Sequence, residues 1–195
     1  MNKEERKNHI ISCAKELFVT KGFHNTSISD IVEHAMIARS TFYAHFDNKM
    51  DIFSILVDTF SEILLNAILG INISKAEKQH ELADEIKAMT IVLVDAFREN
   101  SDLASLLITA PQGHDNKFDK KIAEFYSAIL LAIRTLLVEG IEGNTVKKLD
   151  PDITSYAILG SIKQILIQWL IYGEIDDIYA VLDDIIKYNL YGISM

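Results

Sequence analysis

Apolar positions recur along this chain at three- and four-residue spacing, separated by short polar breaks, and nowhere in convincing alternation. The first run places Ile10, Ile11, Ala14, Leu17 and Phe18 on one face of a helix from about Lys3 to Thr20. Gly22, in "KGFHNTS", suits its C-terminal cap. Ser27 and Asp30 have capping-box spacing and predict a short second helix, "SISDIVEHA". "ARSTFYAHF" predicts a third, with Phe42 and Phe46 turned inward. Asp47 or Asn48 caps a fourth, "KMDIFSILVDTFSEILLNAIL", which stops at Gly70. Ser74 and Glu77 repeat the capping-box signature before a helix from about Lys75 to Glu99. "SDLASLLITA" makes a short helix ended by Pro111, and Lys117 to Glu139 a long one ended by "GIEGN". Asp150 followed by Pro151 starts an eighth helix running to near Gly173, and "EIDDIYAVLDDIIKYNLYG" makes the ninth. The pattern predicts an all-α chain of about nine helices.

The eighth helix carries a further message. Ile158, Ile162, Ile165, Leu166 and Trp169 lie on one side, and Leu159, Ile167, Leu170 and Ile171 spread over the others. A helix apolar nearly all round must be covered on both sides. Either it is the central helix of its own subunit, or a second copy covers it. A body of about 145 residues has few places to bury such a helix, so a homodimer is the expected cover. Gly160 would allow close approach, and Ile167, Leu170 and Ile171 would form the face with Ile178, Leu182 and Ile185 of the ninth helix.

Composition narrows the class. The 195 residues are 49% hydrophobic, with only 2 Pro and 8 Gly, enough for a sizeable core and long helices. Cys13 is alone, so no internal disulfide is expected. The N-terminus has no long apolar run or small-residue cleavage site, and Lys163, Gln164 and Gln168 interrupt the apolar stretch 156–173. The expectation is a soluble cytoplasmic protein with no membrane partner. The net charge of −9 is unevenly shared: residues 1–50 carry 7 Lys and Arg against 6 Asp and Glu, and the remainder 12 against 22. A near-neutral head before an acidic body is compatible with DNA binding, without strong non-specific affinity.

Enzyme chemistry finds little support. His9 and Cys13 are four apart on one helix, but two ligands make no metal site. No Gly-rich phosphate loop follows a strand, and no nucleophile has a neighbouring base in recognisable context. Asp176–Asp177 and Asp183–Asp184 read as a solvated face. No catalytic residue, metal or cofactor is expected.

Residues 10–53, "IISCAKELFVTKGFHNTSISDIVEHAMIARSTFYAHFDNKMDIF", resemble the DNA-binding domain of TetR-family transcriptional regulators. The matching features are "AKELF", "KGF", "TSISDIV", then "TFYAHF" and Lys49, in that order. The resemblance implies a helix-turn-helix head over residues 1–48 and a helical regulatory and dimerisation body over 49–195. It also implies DNA-binding transcriptional regulation, most often repression. Thr26 and Ser27 would face phosphate at the second helix's N-terminus. Arg39 and Ser40 would reach base edges, arginine reading guanine by two hydrogen bonds. Thr41, Tyr43 and His45 resemble the family's groove-edge and phosphate-contacting positions, and Lys49 its basic backbone contact.

The turn departs from the family's Ala-Gly-Val-Ser, reading Ala35-Met36-Ile37-Ala38. A left-handed residue there costs methionine about 1–2 kcal/mol relative to glycine. The absent serine cap at Ala38 costs about 1 kcal/mol. Two arrangements are open: the third helix starts at Arg39, or Ser40 or Thr41 caps a shorter one and turns Arg39 off the bases.

The expected protein is a homodimer on a near-palindromic double-stranded operator. A small molecule in the body would control it through the fourth helix, which belongs to both parts. The acidic body disfavours an anionic ligand and favours a lipophilic or cationic one. His80, Tyr126, Gln164 and Gln168 either line its cavity or face solvent or the partner subunit. The alternative is a helical adapter of the same fold that binds a partner protein.

Overall fold

The computed structural model describes residues 2–71, 79–109, 113 and 115–193, with side chains except at 79–81, 182–183 and 190–193. Among these residues the chain is all-α, with nine helices. They are α1 (Lys3–Lys21), α2 (Ile28–His34), α3 (Arg39–Tyr43), α4 (Lys49–Leu69) and α5 (Gln79–Glu99). After them come α6 (Ser101–Thr109), α7 (Asn116–Glu142), α8 (Pro151–Leu170) and α9 (Ile178–Ile193). The Ser74–Glu77 capping signature and the start of a helix at Lys75 lie outside the described residues.

Local capping chemistry sets several boundaries. Asn2 and Glu5 close a capping box on α1, and Gly22 ends that helix at φ 84°. Ser27 and Asp30 close the predicted box on α2. Asp150 caps α8, its carboxylate accepting from the amides of Asp152 and Ile153, with Pro151 in the first turn. α7 differs from expectation: it passes through Gly140 and stops at Glu142. The buried Gly140 keeps its helical place because its carbonyl accepts from the amides of Thr145 and Val146 at 2.9 and 3.0 Å. The left-handed residue that breaks the chain is Asn144, at φ 58°.

The fold divides into two compact units, Met1–Phe60 with Asp102–Ala123, and Ser61–Ser101 with Glu124–Met195. The first packs α1, α2 and α3 around Ile10, Leu17, Phe18, Ile31, Phe42 and Phe46, all buried. The first part of α4 adds Phe53, and the start of α7 adds Phe118. Phe118 stacks on Phe23 at 4.8 Å and on Phe53 at 4.7 Å between ring centroids. The second unit buries Leu64, Val94, Phe125, Ile129, Ile133, Leu136 and Leu166. There α9 is tied to α5: the Tyr179 hydroxyl donates to Asp95, and Arg98 lies 4.6 Å over the Tyr179 ring.

α4 is long and apolar enough to cross a membrane by length and composition, the one such helix among the described residues. Its buried stripe of Ile52, Phe53, Val57, Phe60, Leu64 and Ile68 marks it as a core helix instead.

Candidate nucleic-acid interface

The head is built around the α2–turn–α3 hairpin. Ser27 accepts from the Asp30 amide at 3.1 Å while Asp30 accepts from the Ser27 amide at 2.7 Å. Hydrogen bonds from Ser27 and from Lys21 (2.9 Å) hold the half-buried Asp30 carboxyl far below the usual carboxylate range. Two histidines fasten α2's far end to α1. His9 Nε2 bonds the Ala35 carbonyl at 3.1 Å, and His34 Nε2 meets the Glu16 carboxylate at 2.9 Å. Cys13 sits beside His9, its thiol 3.8 Å from Nε2, and burial pushes that thiol's pKa up. No group of three metal-ligating side chains comes together among the described residues.

The turn carries the strain that its sequence implies. Met36 adopts φ 51°, a left-handed conformation, and is 90% exposed. Ala38 is the N-cap of α3 without any side-chain hydrogen bond, so the helix starts at Arg39 and not at Ser40 or Thr41. Regular helix ends at Tyr43, earlier than the pattern implies, though the Phe46 amide still reaches the Phe42 carbonyl at 3.0 Å.

Arg39, Ser40 and Tyr43 are exposed, and Thr41 and His45 partly so. The Arg39 guanidinium lies 5.8 Å over the Tyr43 ring, with contacts of 3.3 Å to Ser29 Oγ and 3.5 Å to the Tyr43 hydroxyl. Arginine has five N–H donors, so this hold leaves donors for a base edge. Ser29 is the residue that motif matching passed over. Its signal was the spacing that puts it in the first turn of α2, toward the start of α3.

Two expected phosphate ligands are engaged inside the head. Thr26 is buried, its hydroxyl donating to the carbonyls of Gly22 (2.9 Å) and Leu17 (3.2 Å). A hydroxyl so placed knits the α1–α2 loop, and Ser27 is the exposed neighbour. The Lys49 ammonium donates to the carbonyls of Phe23 (2.6 Å), Thr26 (2.7 Å) and His24 (3.2 Å) and lies 4.5 Å over the Phe23 ring. Its desolvation lowers its pKa, opposed by the carboxylates of Asp115 and Asp30.

Of the residues expected around a ligand, Tyr126 lies under the Lys163 ammonium at 4.7 Å. Gln164 is exposed and Gln168 partly so, and the His80 side chain lies outside the described residues. On the expected dimer face, Gly160 is exposed, with nothing within 4 Å of where a Cβ would stand. Ile167, Leu170, Ile171 and Ile185 are partly exposed, and the Leu182 side chain lies outside the described residues. Ile178 is 2% exposed, already consumed by the core of its own chain. Ile153 and Tyr156, 64% and 58% exposed, extend the stripe instead.

A capped α2, a left-handed turn and a short exposed α3 presenting arginine define a helix-turn-helix, the head of a DNA-binding transcriptional regulator. Residues 10–55 match the sequence profile of "Bacterial regulatory proteins, tetR family". The match covers the head, which is similar to the DNA-binding head of TetR-family regulators. The chain is 25% identical over 189 residues to the fatty acid metabolism regulator protein of Bacillus subtilis, covering 94% of this chain and 93% of that one. The fold is similar to that of the fatty acid degradation regulator FadR from Bacillus halodurans, with TM-score 0.79, 21% identity and coverage of 96% and 95%. It is also similar to FadR from Bacillus subtilis in complex with stearoyl-CoA, with TM-score 0.71, 24% identity and coverage of 94% and 97%. Each of these relatives is a regulator, which favours that reading over an adapter.

Proposed function

We propose that the protein is a cytoplasmic homodimeric repressor that binds a near-palindromic operator and releases it when a lipophilic ligand enters its body. Two-fold symmetry would set two copies of α3 in successive major grooves, about 34–36 Å apart. Arg39 and Ser40 read bases, while Ser27, Thr41, Tyr43 and His45 contact phosphates and the groove edge. Residues 1–48 carry the DNA contacts, and 49–195 serve regulation and dimerisation.

The observation that carries this reading is the placement of Arg39, held between Ser29 and Tyr43 on the exposed start of α3. The lipophilic ligand rests on the relatives, one named for fatty acid metabolism and one bound to stearoyl-CoA. The dimer rests on the exposed apolar stripe of α8 around Gly160, which lacks cover among the described residues.

A fluorescence anisotropy titration with the duplex flanking the protein's own gene tests the central point. Arg39→Ala weakens binding by about 1–3 kcal/mol, and relaxes discrimination at one base pair in each half-site. No binding of the wild type at low salt, or no effect of Arg39→Ala, sinks the reading. Stearoyl-CoA serves as the ligand probe, and release of the bound duplex is the expected response.

A further inference from the structure

Lys49 opens α4, and the family resemblance makes it a ligand of the DNA backbone. Its geometry argues otherwise. An ammonium has three N–H donors and no more. Three backbone carbonyls converge on this one, those of Phe23 at 2.6 Å, Thr26 at 2.7 Å and His24 at 3.2 Å. The Phe23 ring covers it at 4.5 Å from its centroid. These carbonyls belong to the loop between α1 and α2, outside any helical ladder, and that of Phe23 also accepts from the Thr26 amide at 3.3 Å. A phosphate could capture Lys49 only by stripping carbonyls of their donor.

We propose that Lys49 is a positioning residue for operator binding, a clamp that pins loop 23–26 to the first turn of α4 and so fixes how the α2–α3 hairpin is presented to DNA. This rests on the head being a DNA reader. The clamp requires a point-like cation. Methionine would remove the donor that these three carbonyls share, and the planar fork of arginine cannot converge on three carbonyls from one nitrogen.

The test compares full-length wild type, Lys49→Met and Lys49→Arg by fluorescence anisotropy. The probes are the duplex flanking the protein's own gene and a scrambled duplex of equal length. Binding is followed across a salt series, at a temperature where circular dichroism shows every variant folded. For a clamp, both variants lose about ten-fold in affinity for the flanking duplex, comparable to one lost base-pair contact. They lose little on the scrambled duplex, and the slope of log K against log salt stays that of the wild type. A direct phosphate contact behaves oppositely: Lys49→Met weakens both duplexes alike and lowers the slope by about 0.9, and Lys49→Arg restores binding. That result overturns the proposal. So does unchanged operator affinity in a folded Lys49→Met, which would make the lysine a stabiliser only. Lys49→Arg keeps the stem and charge, and decides the matter alone if Lys49→Met does not fold. A wild type that does not prefer the flanking duplex removes the operator reading and this proposal together, and so is told apart from failure of the clamp alone.

Discussion

Met36 shows how far one side chain can be argued from sequence. Its position in the turn marks it as the residue that needs a left-handed backbone, and φ is 51°. Met36→Gly should relieve the strain and raise stability by about 1 kcal/mol, part of the gain being offset by glycine's freedom when unfolded. Urea unfolding measures it, and a neutral or destabilised variant removes the strain account. Asp30 gives a pH dependence with a definite sign. Its folded-state pKa is depressed below the ordinary 3.8, chiefly by the hydrogen bond from Ser27. The stabilisation is therefore present above that pH and is lost as the pH falls through the folded-state value. Asp30→Asn should be less stable than wild type at pH 7, and the gap should close below pH 3.8. A gap that stays constant on acidification contradicts the linkage. What sequence could not reveal at this scale was direction: Thr26 and Lys49 match the motif, yet both turn their polar atoms onto carbonyls within the head.

Among the elements, those bounded by local chemistry were the legible ones. The Ser27–Asp30 box and the Asp150–Pro151 start act within a single turn, so their spacing is enough to find α2 and α8. α7 was less legible, because whether Gly140 ends a helix depends on the amides that return to its carbonyl. The role of its first turn was invisible for a related reason. Phe118 meets Phe23 and Phe53, and no periodicity records a partner so distant in sequence. Phe118→Ala should cost about 3–5 kcal/mol, since a fully enclosed ring leaves a cavity its neighbours cannot fill. Chemical denaturation checks this, and a loss below about 1 kcal/mol would show the stack to be loosely packed.

For the whole molecule, the sequence pattern predicts a helix with more apolar surface than one chain can cover, and among the described residues α8 leaves Ile153 and Tyr156 exposed. Which residues form it was only partly legible: Ile178 belongs to the interior, while Ile153 and Tyr156 lie outside. Replacing Gly160 by arginine should leave helicity intact and convert a dimer to a particle near the chain mass of 22.0 kDa by light scattering. A wild type already at that mass would sink the dimer. The discontinuity of the first unit bears on how such regulators can be recombined. Its chain leaves at Phe60 and returns at Asp102, so the reader is not a detachable N-terminal cassette. A fragment ending at residue 48 lacks Phe53 and Phe118, the two rings that pack on Phe23 and on each other, and should show little helix by circular dichroism. A hybrid spliced at that point would inherit a core completed by a foreign helix. The transplantable piece is two segments long, and exchanging operator specificity means carrying residues 102–123 along with the reader.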